Sequence, residues 1–314
     1  MKKRVSTAVL IIFAILVFSG AAAYLKRAEL LQFAMSLIDY KEVLSVDRTK
    51  EPAEQEEVFP FSNQNAVTLM FLGTDRTEER DDILTDYRSD TIALVRMQLD
   101  TKTIKVLSIP RDTYTYVPIE KKKDKINHAY AYGSMQGTAV GSTAEAVQGL
   151  VNGVPIDYYM VMDMEPIPNI VDDIGGVVLD VDCDMKTYGA DLNKGTQLCN
   201  GKQAFDYIHW RFSGQGDIDR IARQQKFFKA LFIKQRDSGK LVETVEIVLK
   251  YKDSLNTNLS PIQMVALAKY FSKISEDDIK YQVIPGESQR INGISYWVPY
   301  PEETLQTIAE FLAP

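Results

Sequence analysis

The spacing of apolar and polar positions along the chain predicts alternating strands and helices. Strand-like apolar runs occupy residues 66–73, 91–99, 102–110, 157–164, 176–185 and 280–287. Helical periodicity follows or separates them over residues 142–153, 217–236, 242–255, 260–274 and 301–312. Because strands alternate with helices, the pattern indicates an α/β protein with a mixed central sheet flanked by helices.

The helix predicted over residues 217–236 has an unusual inward face. At about 100° per residue, Asp217, Arg220 and Gln224 share one stripe, which continues through Phe228 and Leu231. A stripe that begins polar predicts a charged ligand over the start of the helix, with Asp217 either capping the helix or orienting Arg220. Phe228 and Leu231 either pack in the core, which we favour, or border an apolar ligand chain.

The N-terminal region predicts a membrane anchor. Residues 5–25 carry no charge, and twenty-one helical residues span about 31 Å, which is enough for a bilayer core. The basic residues of the 1–4 tail keep that tail in the cytoplasm, so we expect a single-pass protein of the cell membrane. Residues 26–65 then form a stalk and linker, and residues 66–314 form one extracellular domain. A cleaved signal peptide is the alternative.

The composition and net charge limit the classes of partner that the protein can bind. The hydrophobic fraction of 45% and the charged fraction of 25% are ordinary for a globular domain. A net charge of −7 argues against nucleic acid as a partner, because such binding needs a basic surface. Any phosphate is therefore recognised by a few placed cations.

The two cysteines, Cys183 and Cys199, both fall in the exported part. An isolated pair outside the cell predicts one disulfide, worth about 3 kcal/mol, with two free thiols as the alternative. With only two histidines and no CxxC spacing, a zinc site is not expected.

Charged and polar residues cluster next to the apolar runs. They are Asp75, Arg88, Asp90, Arg111, Asp112, Lys125, Asn127, His209 and Arg211. Taken alone, a neighbouring arginine and aspartate, such as Arg111 and Asp112, are typical of a surface ion pair worth about 0–1 kcal/mol. Together they are more informative, because ligands of α/β sheets bind at strand ends and so many arginines in an acidic protein need anionic partners.

Diphosphate recognition is the chemistry that fits these residues. Guanidinium groups bind phosphate oxygens bidentately, and a helix N-terminus adds backbone donors. Asp75 and Asp90 suit a magnesium ion that shares phosphate oxygens with the substrate. The sequence contains no Walker A loop and no GxSxG motif, so nucleotide hydrolysis and a serine triad lack support.

The ordered motifs resemble the LytR–CpsA–Psr family of Gram-positive bacteria over nearly the whole exported part. They are FLGTD, YRSDT, SIPRDT, KINHAYAYG, VDDIGGV, NGKQAFDYIHWRF, GDIDRIARQQ, PGE and INGISYW. The resemblance implies a phosphotransferase that moves an anionic glycopolymer (teichoic acid, capsular or related polysaccharide) from undecaprenyl diphosphate to peptidoglycan. It also implies membrane lipid as a partner and an apolar pocket for the prenyl chain.

The resemblance also implies residue roles. Asp75 and Asp90 would bind Mg²⁺, with Mn²⁺ as an alternative ion, and would be catalytic together with Arg88 and Arg111. The diphosphate would be held by Arg88, Arg111, Lys125, Arg211, Arg220 and Gln224. Supporting positions would be Asp217, Asn127, Arg223 and His209.

Two positions depart from the family pattern. His209 stands where the family usually has arginine, and Asp219 where it commonly has glycine, so both reduce positive charge near the implied anion site. Two other functions stay open: a hydrolase that cleaves the lipid diphosphate with water, and a non-catalytic sensor or regulator of the cell wall.

Overall fold

The computed structural model describes residues 65–76, 87–187, 189–211, 214 and 216–314. The expected anchor at residues 5–25 lies outside them, as does all of the expected stalk and linker except its last residue. Across the described part of the chain, no helix is both long and apolar enough to cross a bilayer.

The strands of this part of the chain are β1 (Ala66–Thr74), β2 (Ser89–Gln98), β3 (Thr103–Ser108), β4 (Tyr114–Val117), β5 (Lys122–Lys125), β6 (Tyr158–Asp163), β7 (Val177–Val181), β8 (Gly195–Cys199), β9 (Leu255–Thr257), β10 (Ile279–Val283), β11 (Gly286–Ile291) and β12 (Ile294–Pro299). The α-helices are α1 (His128–Ser134), α2 (Ala139–Leu150), α3 (Ile167–Asp173), α4 (Gly201–His209), α5 (Asp217–Asp237), α6 (Leu241–Lys250), α7 (Pro261–Phe271) and α8 (Pro301–Leu312).

Six strands form one central sheet in the order β10–β3–β2–β1–β6–β9. Strand β2 runs antiparallel to both β1 and β3, and β9 runs antiparallel to β6. Strands β6 and β10 run parallel to β1 and β3, respectively. The sheet is therefore mixed, as the sequence pattern predicts, and β1 and β6 end at the same edge.

Both faces of the sheet are covered because β1 alternates between two cores. Met70 and Leu72 are fully buried and pack in a cluster with residues of α1, α2 and α8. Val67 and Leu69 point the other way, into a cluster with residues of α7. A continuous apolar strand is typical of a sheet buried on both sides.

Helix α4 is fixed at its start, and this fixes the segment that follows it. Asn200 and Gln203 form a reciprocal capping box. Gly201 lies so close to helix α3 that an added Cβ would stand 1.9 Å from the carbonyl oxygen of Pro168. Only glycine allows this approach, which sets the direction in which α4 delivers Arg211.

The predicted disulfide is wrong, because the two cysteines lie toward opposite ends of the β7–β8 hairpin. Cys199 pairs with Val177, whereas Cys183 follows Val181 at the far end, beyond which Met185 still pairs with Leu192. Four residues of strand already advance about 13 Å, against an upper limit of about 7 Å between the Cα atoms of a disulfide. Both thiols are free, and burial raises the pKa of the Cys199 thiol.

We therefore expect a reducing agent to leave the melting temperature unchanged. Loss of a disulfide would cost about 3 kcal/mol and lower Tm by several degrees. Differential scanning fluorimetry with and without dithiothreitol checks this, together with a thiol titration of the denatured, unreduced chain. A lower Tm under reduction, or a titration that finds no thiols, would contradict the free pair.

Candidate active site

The pairing of β1 with β2 becomes irregular where the predicted carboxylates lie. Gly73 pairs with Thr91, but Thr74 pairs with Ser89, so Asp90 is the extra residue of a β-bulge. A bulge bends the strand and re-aims the extra side chain. Asp90 is thereby directed to the arginines described below.

Asp75 and Arg88 face each other just beyond the bulge. The Asp75 amide donates to the Arg88 carbonyl oxygen at 3.2 Å, and the Arg88 amide donates to Asp75 Oδ1 at 2.8 Å. Asp75 is half-buried, whereas Arg88 is exposed. The predicted Arg88 thus stands at the rim, and other segments supply the arginines that contact Asp90.

Three arginines from three separate segments converge on Asp90. Asp90 Oδ1 accepts from Arg111 Nη1 at 2.5 Å, and Oδ2 accepts from Arg211 Nη2 at 2.9 Å. Arg220 Nη1 lies 3.5 Å from Oδ2, and its Nη2 donates to the Asp90 carbonyl oxygen at 2.9 Å. We call these four residues the Asp90 cluster. It brings together three of the residues predicted to hold a diphosphate.

Asp90 and Arg220 are both ionised at neutral pH. Burial alone raises the pKa of Asp90, but Arg111, Arg220 and Arg211 outweigh it, so the pKa lies below its ordinary value. Burial lowers the pKa of Arg220 to about 10, which still leaves the guanidinium charged. Within the Asp90 cluster three cations face one carboxylate, and Asp217 and Asp112 next to it offset part of the remaining positive charge.

Helix α5 delivers Arg220 from its first turn. Gly216, with φ of +57°, is the N-cap residue, and Asp217 makes no capping hydrogen bond. Instead, Asp217 Oδ1 lies 2.6 Å from Arg220 Nη2 and 3.9 Å from Arg111 Nε. Of the two predicted roles, Asp217 therefore orients Arg220.

Lys125 and Asn127 join the site through the segment that carries Arg111. Lys125 Nζ lies 3.1 Å from Asp112 Oδ1, which is itself 3.9 Å from Arg111 Nε. Asn127 is only 2% exposed, and its backbone N–H donates to the Arg111 carbonyl oxygen at 3.2 Å. Lys125 thus extends the positive region, and Asn127 holds the backbone of Arg111.

Arg223 and His209 support the segment that carries Arg211. Arg223 is buried, and its Nη2 donates to the carbonyl oxygen of Trp210 at 2.5 Å. The His209 ring stacks on Phe205 at 3.9 Å and bonds its carbonyl oxygen through Nδ1 at 2.9 Å. Burial lowers the pKa of His209, so at neutral pH this residue adds no charge where the family usually has arginine.

Asp75 and Asp90 are the carboxylates that the sequence predicts as donors for a metal. No group of three or more His, Cys, Asp and Glu side chains that could hold a metal lies in the described ranges. Asp90 is the bulged residue itself and Asp75 lies just beyond the bulge, and both offer hard oxygen donors. Such a pair fits Mg²⁺, which usually takes only one or two carboxylates and completes its shell with phosphate oxygens and water.

An apolar cavity of about 320 Å³ adjoins the Asp90 cluster, between the sheet and helix α5. Asp90 and Gln224 are among the few polar residues on its wall. Its apolar wall includes Leu69, Phe71, Val106, Phe228, Phe232 and Phe271. The buried Gln224 therefore stands where the charged cluster meets the apolar space.

Phe228 is a cavity residue rather than the core residue that we favoured. Its side chain is 37% exposed and packs edge to face on Phe71, with 5.5 Å between ring centroids. A second apolar cavity, of about 260 Å³, shares Phe71, Phe228 and Phe271 with the first. Leu231 lines this second cavity while also packing against the core.

The sequence did not identify the other aromatic residues that line the first cavity. Phe232 follows Phe228 by four residues on α5, and this spacing was the one available signal. Phe271 is the last residue of α7, and Tyr281 lies on the edge strand β10. A cavity forms where side chains from elements distant in sequence leave space between them. The periodicity of one segment carries no information about that space.

Fold and site together define an α/β protein with a cluster of arginines around one carboxylate beside an apolar cavity. The family model of LytR_cpsA_psr proteins matches residues 34–311. The chain therefore belongs to the LytR_cpsA_psr family, and the resemblance noted from the motifs is confirmed.

Curated relatives agree with this assignment. A Bacillus cereus protein named polyisoprenyl-teichoic acid–peptidoglycan teichoic acid transferase TagU is 29% identical, over 99% of this chain and 97% of its own. A homologue from another Bacillus cereus strain, with the same name, is 30% identical over 75% of each chain. The crystal structure of Bacillus subtilis TagV superposes with a TM-score of 0.66 at 26% identity, covering 81% of this chain and all of that one.

Proposed function

We propose that this protein transfers an anionic glycopolymer from a polyprenyl diphosphate carrier to peptidoglycan. The observation that carries the proposal is the contact of the Asp90 cluster with the apolar cavity. This arrangement offers adjoining places for a diphosphate and for a prenyl chain. The teichoic acid transferase names of the Bacillus relatives support both the reaction type and the two substrates.

The diphosphate of the donor would bind the guanidinium groups of Arg111, Arg211 and Arg220. These groups now face Asp90, and their forked donors can be shared with phosphate oxygens. Lys125 and the exposed Arg88 flank them and would contact the outer oxygens. Gln224 lies toward the cavity, where the prenyl end of the donor would enter.

Magnesium is part of the proposal because of the charge of the site. Asp75, Asp90, Asp112 and Asp217 offset most of the cationic side chains described above. A divalent ion held by Asp75 and Asp90 would restore the positive charge that a diphosphate requires. When bound, Mg²⁺ would stabilise charge on the phosphate oxygens.

The reaction needs positioning and charge stabilisation more than covalent chemistry from the protein. A hydroxyl group of peptidoglycan would attack the phosphorus next to the sugar, and the bond from that phosphorus to the bridging oxygen would break. The hydroxyl proton passes to solvent, polyprenyl monophosphate leaves with the electron pair of the broken bond, and the polymer becomes attached through a phosphodiester. Arg111 and Arg220 would stabilise the charge that develops on the phosphate oxygens.

The location fits a lipid-linked donor. We propose that residues 5–25 anchor the chain in the cell membrane, with the 1–4 tail in the cytoplasm and residues 66–314 outside. The apolar sequence of residues 5–25 and its basic flank support this topology. A donor whose prenyl chain lies in the same membrane would then reach the cavity.

A reconstituted transfer assay tests the proposal. The full-length chain in detergent is mixed with a lipid-diphosphate-linked glycan and peptidoglycan oligomers, with Mg²⁺ or with a chelator. We expect a glycan–peptidoglycan product that forms only with Mg²⁺. Release of glycan phosphate without any linked product would favour the hydrolase, and binding without turnover would favour the regulator.

Filling the cavity is expected to weaken binding of donors with long prenyl chains. Val106 is half-buried and faces the cavity, so Val106→Phe places a ring in the space that the chain would occupy. We expect KM for a long-chain donor to rise about tenfold, while a short-chain donor is unaffected. The matched variant Val106→Ala enlarges the cavity and should leave both KM values near wild type. An equal effect of Val106→Phe on both donors would contradict the assignment.

A further inference from the structure

A second concave site lies on the other face of the sheet. It is a polar groove of about 550 Å³ at the β6–β9 edge, which we call the tyrosine groove. Its walls include Arg76, Tyr87, Tyr130, Ser134, Tyr159 and Asn256. Tyr159 and Met160 are neighbours on β6, and Met160 lines the second apolar cavity. Because successive strand residues point to opposite faces, the groove and the apolar cavities are separated by the sheet.

The wall of the tyrosine groove is built from side chains that hold one another. The Tyr159 hydroxyl donates to Asn256 Oδ1 at 3.4 Å, and its amide donates to Asn258 Oδ1 at 2.9 Å. Asn258 Nδ2 in turn donates to the carbonyl oxygen of Asp157 at 3.4 Å. Tyr130 faces them from helix α1. The polar groups are therefore positioned before any ligand arrives.

One end of the tyrosine groove lies next to the end of β1. The Arg76 guanidinium lies 5.7 Å from the centre of the Tyr87 ring and 3.8 Å from Asp163 Oδ2. Asp163 Oδ1 accepts from the Thr74 hydroxyl at 2.6 Å, which ties this end to the last residue of β1. Arg76 directly follows Asp75, so a ligand in the groove would end beside the proposed magnesium carboxylates.

The chemistry of the tyrosine groove suits a chain of uncharged sugars. Tyrosine rings offer flat apolar faces with a polar edge, and amide and hydroxyl groups bond to hydroxyl groups in both directions. Among the described residues of the wall, Arg76 is the cation and it is paired with Asp163, so these residues add little net charge for a phosphate. Burial raises the pKa of Tyr130 to about 12, so its hydroxyl stays neutral and able to donate. Its volume lies in the ordinary range of about 300–1,000 Å³ for ligand sites.

We propose that the tyrosine groove binds the glycan strand of the acceptor peptidoglycan. This inference rests on the proposed function, since a transferase needs a second substrate site. The lipid diphosphate would occupy one face of the sheet and the acceptor strand the other. The two would meet at the end of β1, where Asp75 lies next to the bulge formed by Asp90.

The test compares acceptor and donor kinetics in the full-length chain. Tyr130→Phe and Asn256→Ala each remove one polar group without emptying the core. We expect each to raise KM for soluble, uncrosslinked peptidoglycan strands about fivefold, and to leave donor KM unchanged. Tyr116→Phe and Asn193→Ala change the same residue types at exposed positions outside the groove and should not alter either constant.

Direct binding of the same strands in the absence of donor separates this inference from the proposed function. Weaker strand binding in the groove variants supports the groove even when no transfer product forms at all. Transfer with unchanged acceptor KM and unchanged strand binding in both variants overturns the groove while leaving the transferase intact. A rise in donor KM alone also overturns it, because the groove would then hold the glycan of the donor.

Discussion

Replacing Arg111 with alanine is expected to lower the rate of transfer about a thousandfold at saturating substrates. Its guanidinium contacts Asp90 Oδ1 at 2.5 Å, and the charge of Asp90 raises its pKa, so it is always a cation. It enters the site from the end of β3, and the amide of Asn127 holds its backbone. A positioned cation acts on the charge that develops during transfer, so the loss should fall mainly on kcat.

Arg111→Lys and Arg290→Lys are the matched variants. Lysine keeps the charge at position 111 but loses the fork that binds two oxygens, so a rate loss of about a hundredfold is expected. Arg290 is exposed on β11, outside the Asp90 cluster, and its variant should transfer normally. The Arg111→Ala variant should remain folded, because Asp90 still pairs with Arg211 and Arg220. Near-normal turnover of folded Arg111→Ala would contradict the role of this residue.

Replacing Asp90 with asparagine is expected to abolish transfer and to destabilise the fold by about 3 kcal/mol. The carboxylate is the shared partner of three guanidinium groups, of which Arg220 is only 1% exposed. Removing its charge leaves buried positive charge opposed mainly by Asp217. In a chain of this size, that loss lowers Tm by about 6 °C or more. Differential scanning fluorimetry and the transfer assay measure the two effects.

Asp112→Asn is the control for this substitution. Asp112 pairs with Lys125 at 3.1 Å but is more exposed, so its loss should cost less than about 1 kcal/mol. The pH dependence gives a second check. Because the pKa of Asp90 is lowered in the fold, its stabilisation is complete above the ordinary value of 3.8 and is lost as the pH falls through the lowered pKa. The wild type should therefore lose more stability on acidification than Asp90→Asn, and equal losses would contradict the prediction.

The sequence predicted elements whose pattern is local. Helix α8 has the predicted bounds, and α5 extends one residue beyond them. Helix α7 lies within the predicted residues 260–274 and begins after Ser260, which forms a reciprocal capping box with Gln263. The pairings of β1 with β6 and of β3 with β10 were beyond this reasoning, since partners about ninety or more residues apart leave no periodic signal.

The charged site was more predictable than the apolar one. Arg111 and Arg220 could be grouped because each lies beside the end of a predicted strand or helix, and Arg211 because its motif belongs to the ordered set. Phe228 could not be assigned, since the same stripe describes a core residue and a cavity wall. The disulfide prediction was wrong because a count of cysteines gives no distance between them. The β7–β8 hairpin places Cys183 and Cys199 toward its opposite ends.

The most direct test follows the phosphate next to the sugar. A donor labelled in that phosphate alone is incubated with the full-length chain, Mg²⁺ and peptidoglycan. We predict that the label appears in peptidoglycan, that unlabelled polyprenyl phosphate is released, and that Arg111→Ala suppresses both products. Label that stays with the lipid, or that is released only as free sugar phosphate, would contradict phosphotransfer at the Asp90 cluster.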